Sequence, residues 1–287
     1  MLKNSCLSCF ADEISDSLAE QIALMQELGI HSVEFRSADG KGVADYSCEE
    51  AAAAYQTLKA AGISVSALGS PIGKISITED FEPHFEKFCH VAKLAQIFHT
   101  RQIRLFSFYM PEELLAGDTP DAESRLEVLR RLSAMISYAA QKDLVLLHEN
   151  EKGIYGDTVA RCLDLMQQLH GPHFGCTFDF ANFVQCGQDP LAAYELLKPY
   201  ITYVHIKDAK ADGTVVPAGQ GVGQLRTILQ KLDASGYDGY LSLEPHLTDF
   251  TALNSLEAHV ETRGRTDGPT AFREAWQALR DILHAAV

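Results

Sequence analysis

The feature that most constrains this chain is an alternation that runs through it eight times. A short apolar run is followed by a stretch whose apolar positions fall three or four residues apart. Runs of the first kind read as strands and stretches of the second kind as amphipathic helices. The strands are expected at 7–10, 31–36, 63–68, 102–108, 144–147, 174–178, 201–208 and 240–243. The helices are expected at 15–29, 48–61, 81–100, 121–142, 157–170, 189–197, 223–236 and 269–286, with Gly29 and Gly62 as stop signals for the first two.

Strict strand–helix alternation implies parallel βαβ units and an α/β fold. Eight such units close a (β/α)8 barrel, the TIM barrel, for which ~250 residues is an ordinary size; this chain has 287. A doubly wound open sheet would carry a GxGxxG turn after its first strand, and none is present. With no composition break or low-complexity segment, residues 1–287 read as one barrel domain. Two connections, at about 209–222 and 247–268, are long for such a fold, and long loops tend to carry function.

The strand at 201–208, ITYVHIKD, shows where to look for that function. A strand covered on both faces should be apolar throughout, yet this run delivers His205, Lys207 and Asp208 at its C-terminal end. Three other runs end in the same way: LVLLHEN delivers Glu149, FGCTFDF delivers Asp179 and GYLSLEPH delivers Glu244. In a (β/α)8 barrel the C-terminal strand ends surround one point. A single acid at a strand end can be a loop cap or half of a salt bridge, and a lone histidine is commonly structural. Four such residues on four successive strands define a mixed oxygen–nitrogen set suited to Mn²⁺ first, and also to Mg²⁺, Co²⁺ or Zn²⁺.

The formal net charge is −15, with 24 Lys and Arg against 39 Asp and Glu. That balance disfavours a nucleic-acid surface or an anionic membrane as partner. No apolar run approaches the ~18 residues of a membrane span, and the first residues lack the pattern of a signal peptide. Seven cysteines, an odd number scattered along the chain, suggest reduced thiols and a cytoplasmic location. Cys6 and Cys9 form a CxxC pair without a second pair at zinc spacing; with Cys176 they are expected as small buried apolar residues.

The motifs carrying the four residues, LLHEN, FDFAN, VHIKD and LSLEPH, resemble those of the xylose isomerase-like barrel superfamily. This is the sugar phosphate isomerase/epimerase group that includes ketose 3-epimerases, inosose dehydratase and endonuclease IV. The likeness spans nearly the whole chain, and the four residues are spaced 30, 26 and 39 apart, about one βα unit each. It implies that Glu149, Asp179, His205 and Glu244 hold one divalent metal ion and that Glu149 and Glu244 also move protons. One departure stands out: Asn182 occupies a place where many members have histidine, and an amide cannot take a proton at neutral pH.

The expected activity is that of a metal-dependent sugar or cyclitol isomerase or epimerase, working through an enediolate on a small carbohydrate. The alternative is a dehydratase or lyase acting on an inosose or keto-sugar at the same site, and a barrel that only binds sugar or metal is a third reading. A homo-oligomer is compatible with the sequence. Further candidates for substrate contact are Asn182, Lys207, His246, His148, Arg104 and Glu34. Each has a structural alternative: Lys207 paired with Asp208, Arg104 paired with Glu34 inside the barrel, His148 and His246 as hydrogen-bonding partners. Glu151 rivals Glu149 as ligand. The glycine-containing stretch at 69–74 is expected to cover the substrate, and Trp276 to lie in the core or at an interface.

Overall fold

A computed structural model of the chain describes residue 2 and residues 5–115, 122–248 and 267–285. Eight parallel strands form a single sheet: β1 (Cys6–Cys9), β2 (Ser32–Phe35), β3 (Ser64–Gly69), β4 (Gln102–Leu105), β5 (Val145–Glu149), β6 (Phe174–Asp179), β7 (Ile201–Ile206) and β8 (Tyr240–Leu243). The hydrogen-bonded order runs from β1 through β8, β7, β6, β5, β4 and β3 to β2. β1 and β2, the two ends of that order, lie side by side, so the sheet forms a nearly closed barrel.

Helices wrap the outside: α1 (Leu18–Leu28), α2 (Cys48–Ala60), α3 (Phe81–Ile97), α4 (Ala122–Gln141), α5 (Val159–Leu169), α6 (Pro190–Leu197), α7 (Leu225–Ala234) and α8 (Gly268–His284). Local chemistry sets several of their ends. α1 stops at Gly29, whose φ of 71° suits the left-handed position that glycine takes without strain. Ser47 and Glu50 form a reciprocal capping box at the start of α2. Buried apolar residues of α7 (Leu225, Ile228, Leu229, Leu232) and α8 (Phe272, Ala275, Trp276, Leu279) recur at helical spacing and close over the sheet. Trp276 is thus a core residue. No helix among the described residues is long and apolar enough to cross a membrane.

Additional elements lie at the C-terminal strand ends. Ser37–Ala38 pairs with Lys41–Gly42 after β2, and Asp208–Ala209 pairs with Val215–Val216 after β7, so the expected 209–222 loop begins as a hairpin. A short helix, Phe180–Gln185, follows β6 directly. Most of the second long connection, 249–266, lies outside the described residues. The barrel interior is partly polar. Tyr203, Ala67 and Leu147 plug one level, and the Ser66 hydroxyl links Ser8 (2.6 Å) to the Tyr203 hydroxyl (2.8 Å). Above that plug the interior turns acidic. Cys9 and Cys176 are buried as expected, whereas Cys6, at the outer start of β1, is exposed.

Candidate metal centre

Parallel register fixes the height of the residues that end the strands. Asp179 lies opposite His205 on the β6–β7 pair, and His205 lies opposite Ser242 on β8. Glu149 closes β5, and Glu244 follows β8 with its N–H donated to the Ile206 carbonyl at 3.1 Å. One ligand atom from each of Glu149, Asp179, His205 and Glu244 lies within 4.8 Å of the others, and all four residues are buried.

The imidazole is oriented from both sides. Its Nε2 lies 3.0 Å from Glu34 Oε2, while Nδ1 faces Glu149 Oε1 at 3.0 Å and Glu244 Oε2 at 3.4 Å. A shift in the β2–β3 register between Val33 and Glu34 accompanies the placement of Glu34 beneath this ring. A proton on Nε2, shared with Glu34, leaves the Nδ1 lone pair for a cation, the usual outer-shell arrangement of a metal-bound histidine. Phe10 packs edge-on against the same ring at 5.1 Å.

The carboxylates are held by fixed cations. Arg104 donates from Nη1 to Glu149 Oε2 at 2.7 Å, and Asn182 donates to Glu149 Oε1 at 3.3 Å. Lys207 Nζ lies 3.0 Å from Asp179 Oδ2 and 3.3 Å from Glu244 Oε2. The Asp179 contact is within ion-pair distance but lacks hydrogen-bond geometry, so Oδ2 is a buried carboxylate oxygen without a donor. Arg36 reaches Glu244 Oε1 at 3.0 Å, Glu13 Oε1 at 3.1 Å and both oxygens of Asp12 at 2.8 and 3.0 Å.

Among the described residues, six buried carboxyl groups (Asp12, Glu13, Glu34, Glu149, Asp179, Glu244) therefore meet three permanent cations (Arg36, Arg104, Lys207). The excess of three negative charges, out of water, is costly without a further cation. Its effect is visible in the titrations. Burial, reinforced by Glu244 and Glu149, outweighs Lys207 and pushes Asp179 up to about 7. Burial works against a charged His205, but Glu34, Glu149 and Glu244 override it and raise the ring well above the ordinary histidine range. Burial also opposes the charges of Glu149 and Glu244. Yet His205 and Arg104 hold Glu149 below the usual carboxylate range, and Lys207, His246 and His205 do so for Glu244. Three carboxylates, one imidazole, a donor-free buried oxygen and surplus negative charge fit a hard or borderline divalent ion.

Several expectations are corrected. Arg104 pairs with Glu149 rather than Glu34, and Glu34 serves His205. Lys207 turns to Asp179 and Glu244, while Asp208 accepts backbone N–H groups from Ala209, Gly219, Gly221 and Gly223 at 2.9 Å each. His148 is not brought to the cluster. Its Nε2 meets Ser107 Oγ at 2.9 Å and burial pushes its pKa down to about 4, as suits a neutral structural ring. Glu151 also stays outside, paired with Lys74 at 3.2 Å. His246 stands beside Glu244 at 3.3 Å, and Asn182 is bound to Glu149 and to the Asn150 carbonyl.

Asp12 and Glu13 were not among the expected site residues. Both follow β1, so the strand-end rule that marks the other four could have found them. The stretch at 69–74 lines, with Arg36 and the hairpin after β2, a cleft of about 380 Å³. That volume is in the range of small-molecule sites, ~300–1,000 Å³, and Arg36 joins the cleft to the cluster. Gly73 has a φ of 90°, and a Cβ there would meet the Phe106 carbonyl oxygen at 2.1 Å, so this loop requires glycine.

Comparison with known proteins identifies the fold and the family. The chain is 29% identical over 138 residues to a 3-dehydroshikimate dehydratase of Bacillus anthracis, a match covering 47% of this chain and 46% of that relative. The aligned region thus spans about half the length of the curated protein. Among solved structures, the probable 3-DHS dehydratase involved in petrobactin synthesis in the same organism superposes with a TM-score of 0.71 at 21% identity, covering 96% of this chain and 98% of that one. A D-tagatose 3-epimerase-like protein gives 0.71 at 16% identity over 98% and 100% of the two chains. A D-psicose 3-epimerase gives 0.72 at 15% over 96% and 97%. Likeness at these identities speaks for the fold. The family model for the xylose isomerase-like TIM barrel matches residues 22–282. This chain belongs to the xylose isomerase-like TIM barrel family.

Proposed function

We propose that the protein is a divalent-metal-dependent lyase that removes water from a small hydroxylated ketone of the keto-sugar, inosose or dehydroshikimate type. The observation that carries this reading is the ammonium group of Lys207, which stands at the cluster 3.3 Å from Glu244 Oε2 and 3.0 Å from Asp179 Oδ2. Both glutamates are engaged on both oxygens, Glu149 by Arg104 at 2.7 Å and Asn182 at 3.3 Å, Glu244 by Arg36 at 3.0 Å and Lys207 at 3.3 Å. They differ in the kind of partner: Glu149 has a guanidinium and an amide, whereas Glu244 has beside its Oε2 an ammonium group, whose proton a departing hydroxyl can take.

A metal ion held by Glu149, Asp179, His205 and Glu244 would supply Lewis acidity to the substrate carbonyl. Glu244 takes the proton from the carbon next to that carbonyl. The C–H electron pair becomes the new carbon–carbon double bond, the C–O bond at the β carbon breaks, and Lys207 gives a proton to the departing hydroxyl, so one water leaves. Asn182 and Arg104 hold Glu149 in place, and Glu34 keeps the imidazole in its ligand tautomer. Epimerisation would need proton carriers on two opposite faces, and Asn182, an amide, cannot be one of them. Similarity to a 3-dehydroshikimate dehydratase supports the same choice.

The second reading, an isomerase or epimerase through the same enediolate, is favoured by the fold shared with D-psicose 3-epimerase. The test is to incubate the manganese-loaded protein with 3-dehydroshikimate, inososes and ketohexoses, and to read the products by mass spectrometry. A product lighter by one water, absent with Glu244→Gln and Lys207→Met, is expected. A product of unchanged mass and altered stereochemistry would replace this reading with the second.

A further inference from the structure

Beside the four-residue cluster lies a second one. Ligand atoms of Glu13, Glu244 and His246 also fall within 4.8 Å of one another, and the two groups share Glu244. A carboxylate shared between two such sets is the arrangement of a two-metal centre, whose ions stand about 3.5–4 Å apart. In this protein a side chain already supplies a cation there. The Arg36 guanidinium lies 3.0 Å from Glu244 Oε1 and 3.1 Å from Glu13 Oε1, and a bidentate pair with Asp12 at 2.8 and 3.0 Å fixes it from behind. Its ring-stacked position, 4.2 Å from the centroid of Phe10, leaves it little freedom to withdraw.

We propose that Arg36 takes the place of a second cation and thereby holds the centre to one metal ion. The inference rests on the metal reading above and concerns only how many ions are bound. A guanidinium suits this place because it is permanently charged, planar and able to engage several carboxylates at once. Unlike a metal ion it offers no Lewis-acid orbital and cannot activate water. Occupying Glu244 Oε1, it leaves Oε2 as the oxygen facing His205 and Lys207, and so orients the shared carboxylate towards a single ion. Removing Arg36 would leave Asp12, Glu13 and one side of Glu244 buried and without this neutralising charge, next to His246. That is a donor set of the kind a second divalent ion takes.

The experiment is a manganese titration of the full-length protein, with stoichiometry by calorimetry and the spin state by electron paramagnetic resonance. Wild type should bind one ion per chain and give the spectrum of isolated Mn²⁺. Arg36→Ala should bind two, with the loss or broadening of signal that coupled ions produce. Adding His246→Ala to Arg36→Ala should remove the second ion and keep the first, and Arg36→Lys should bind one. Two ions in wild type, or one ion in folded Arg36→Ala at millimolar manganese, overturns the proposal. If Arg36→Ala does not fold without metal, it is refolded with manganese present. Recovery with two ions then supports the proposal, and recovery with one, or none, overturns it. A wild type that binds no divalent ion fails the metal reading itself, a result distinct from wild type and variant each binding one.

Discussion

Among the described residues Glu34 makes one ion-pair contact, and its loss has a calculable consequence. Its Oε2 meets His205 Nε2 at 3.0 Å, and its Oε1 has no hydrogen-bond partner. In the metal-loaded protein the imidazole must be neutral, so this contact is an N–H donated to a carboxylate, worth roughly 1.5–3 kcal/mol. Removing an outer-shell partner of this kind typically weakens metal binding by about 10–100-fold, or roughly 1.4–2.7 kcal/mol. Glu34→Ala should fall near the upper end, because Nε2 is left buried without an acceptor. Glu34→Gln keeps an acceptor but loses the charge, and should cost about tenfold. The assay is competition for manganese against a calibrated chelator at fixed pH, with folding checked by circular dichroism. If folded Glu34→Ala binds manganese as tightly as wild type, His205 is not a ligand through Nδ1 and the orientation argued from Glu34 is wrong.

Other consequences follow from the same geometry. Lys207→Met should lower turnover by about 10²–10⁴-fold, the span of a general acid, while the first metal ion stays bound; near-normal turnover would remove Lys207 from the chemistry. His148→Ala should cost about 1–3 kcal/mol of stability in urea, because the Ser107 hydroxyl loses its imidazole partner and keeps only the Gly156 N–H, with manganese affinity unchanged; a tenfold loss of affinity would place His148 in the site after all. In the metal-free protein, the raised titrations of Asp179 and His205 mean that the folded state binds protons more tightly than the unfolded one. Their contribution to stability is therefore present at low pH and lost as pH rises through their folded values. A bound metal replaces those protons, so the rise in thermal midpoint on adding manganese should grow between about pH 6 and 8. A shift that stays flat over that window would contradict the charge balance derived for the cluster. Gly221→Ala should destabilise by about 1–3 kcal/mol, since a Cβ there would meet the Ala209 carbonyl oxygen at 2.3 Å; equal denaturation midpoints would show that the loop relaxes freely.

The barrel and its four strand-end residues were legible in the sequence for one physical reason. Strands buried on both faces admit charge only where they leave the core, so an acid or histidine at that point stands out against an apolar run. The partners of those charges were not legible. Arg104 on β4 could have met Glu34 or Glu149, and only the curvature of the barrel decides for Glu149. Lys207 and Asp208 are neighbours in sequence, yet successive residues leave a strand on opposite sides, so one faces the cluster and the other is enclosed by backbone N–H groups of the following loop. The helix at Phe180–Gln185 is masked because Asp179 both ends β6 and caps that helix, accepting the Asn182 N–H at 2.8 Å. The same contact explains Asn182: its position is set by the cap and by Glu149, features that spacing alone does not reveal.

The most direct measurement is the metal content of the purified protein by mass spectrometry, beside a His205→Ala variant prepared identically. The cluster of Glu149, Asp179, His205 and Glu244 predicts about one divalent ion per chain in wild type, Mn²⁺ foremost, and its loss in the variant. Wild type without metal even after reconstitution, or a variant that keeps the full equivalent, would contradict the metal centre and leave the barrel without this mechanism.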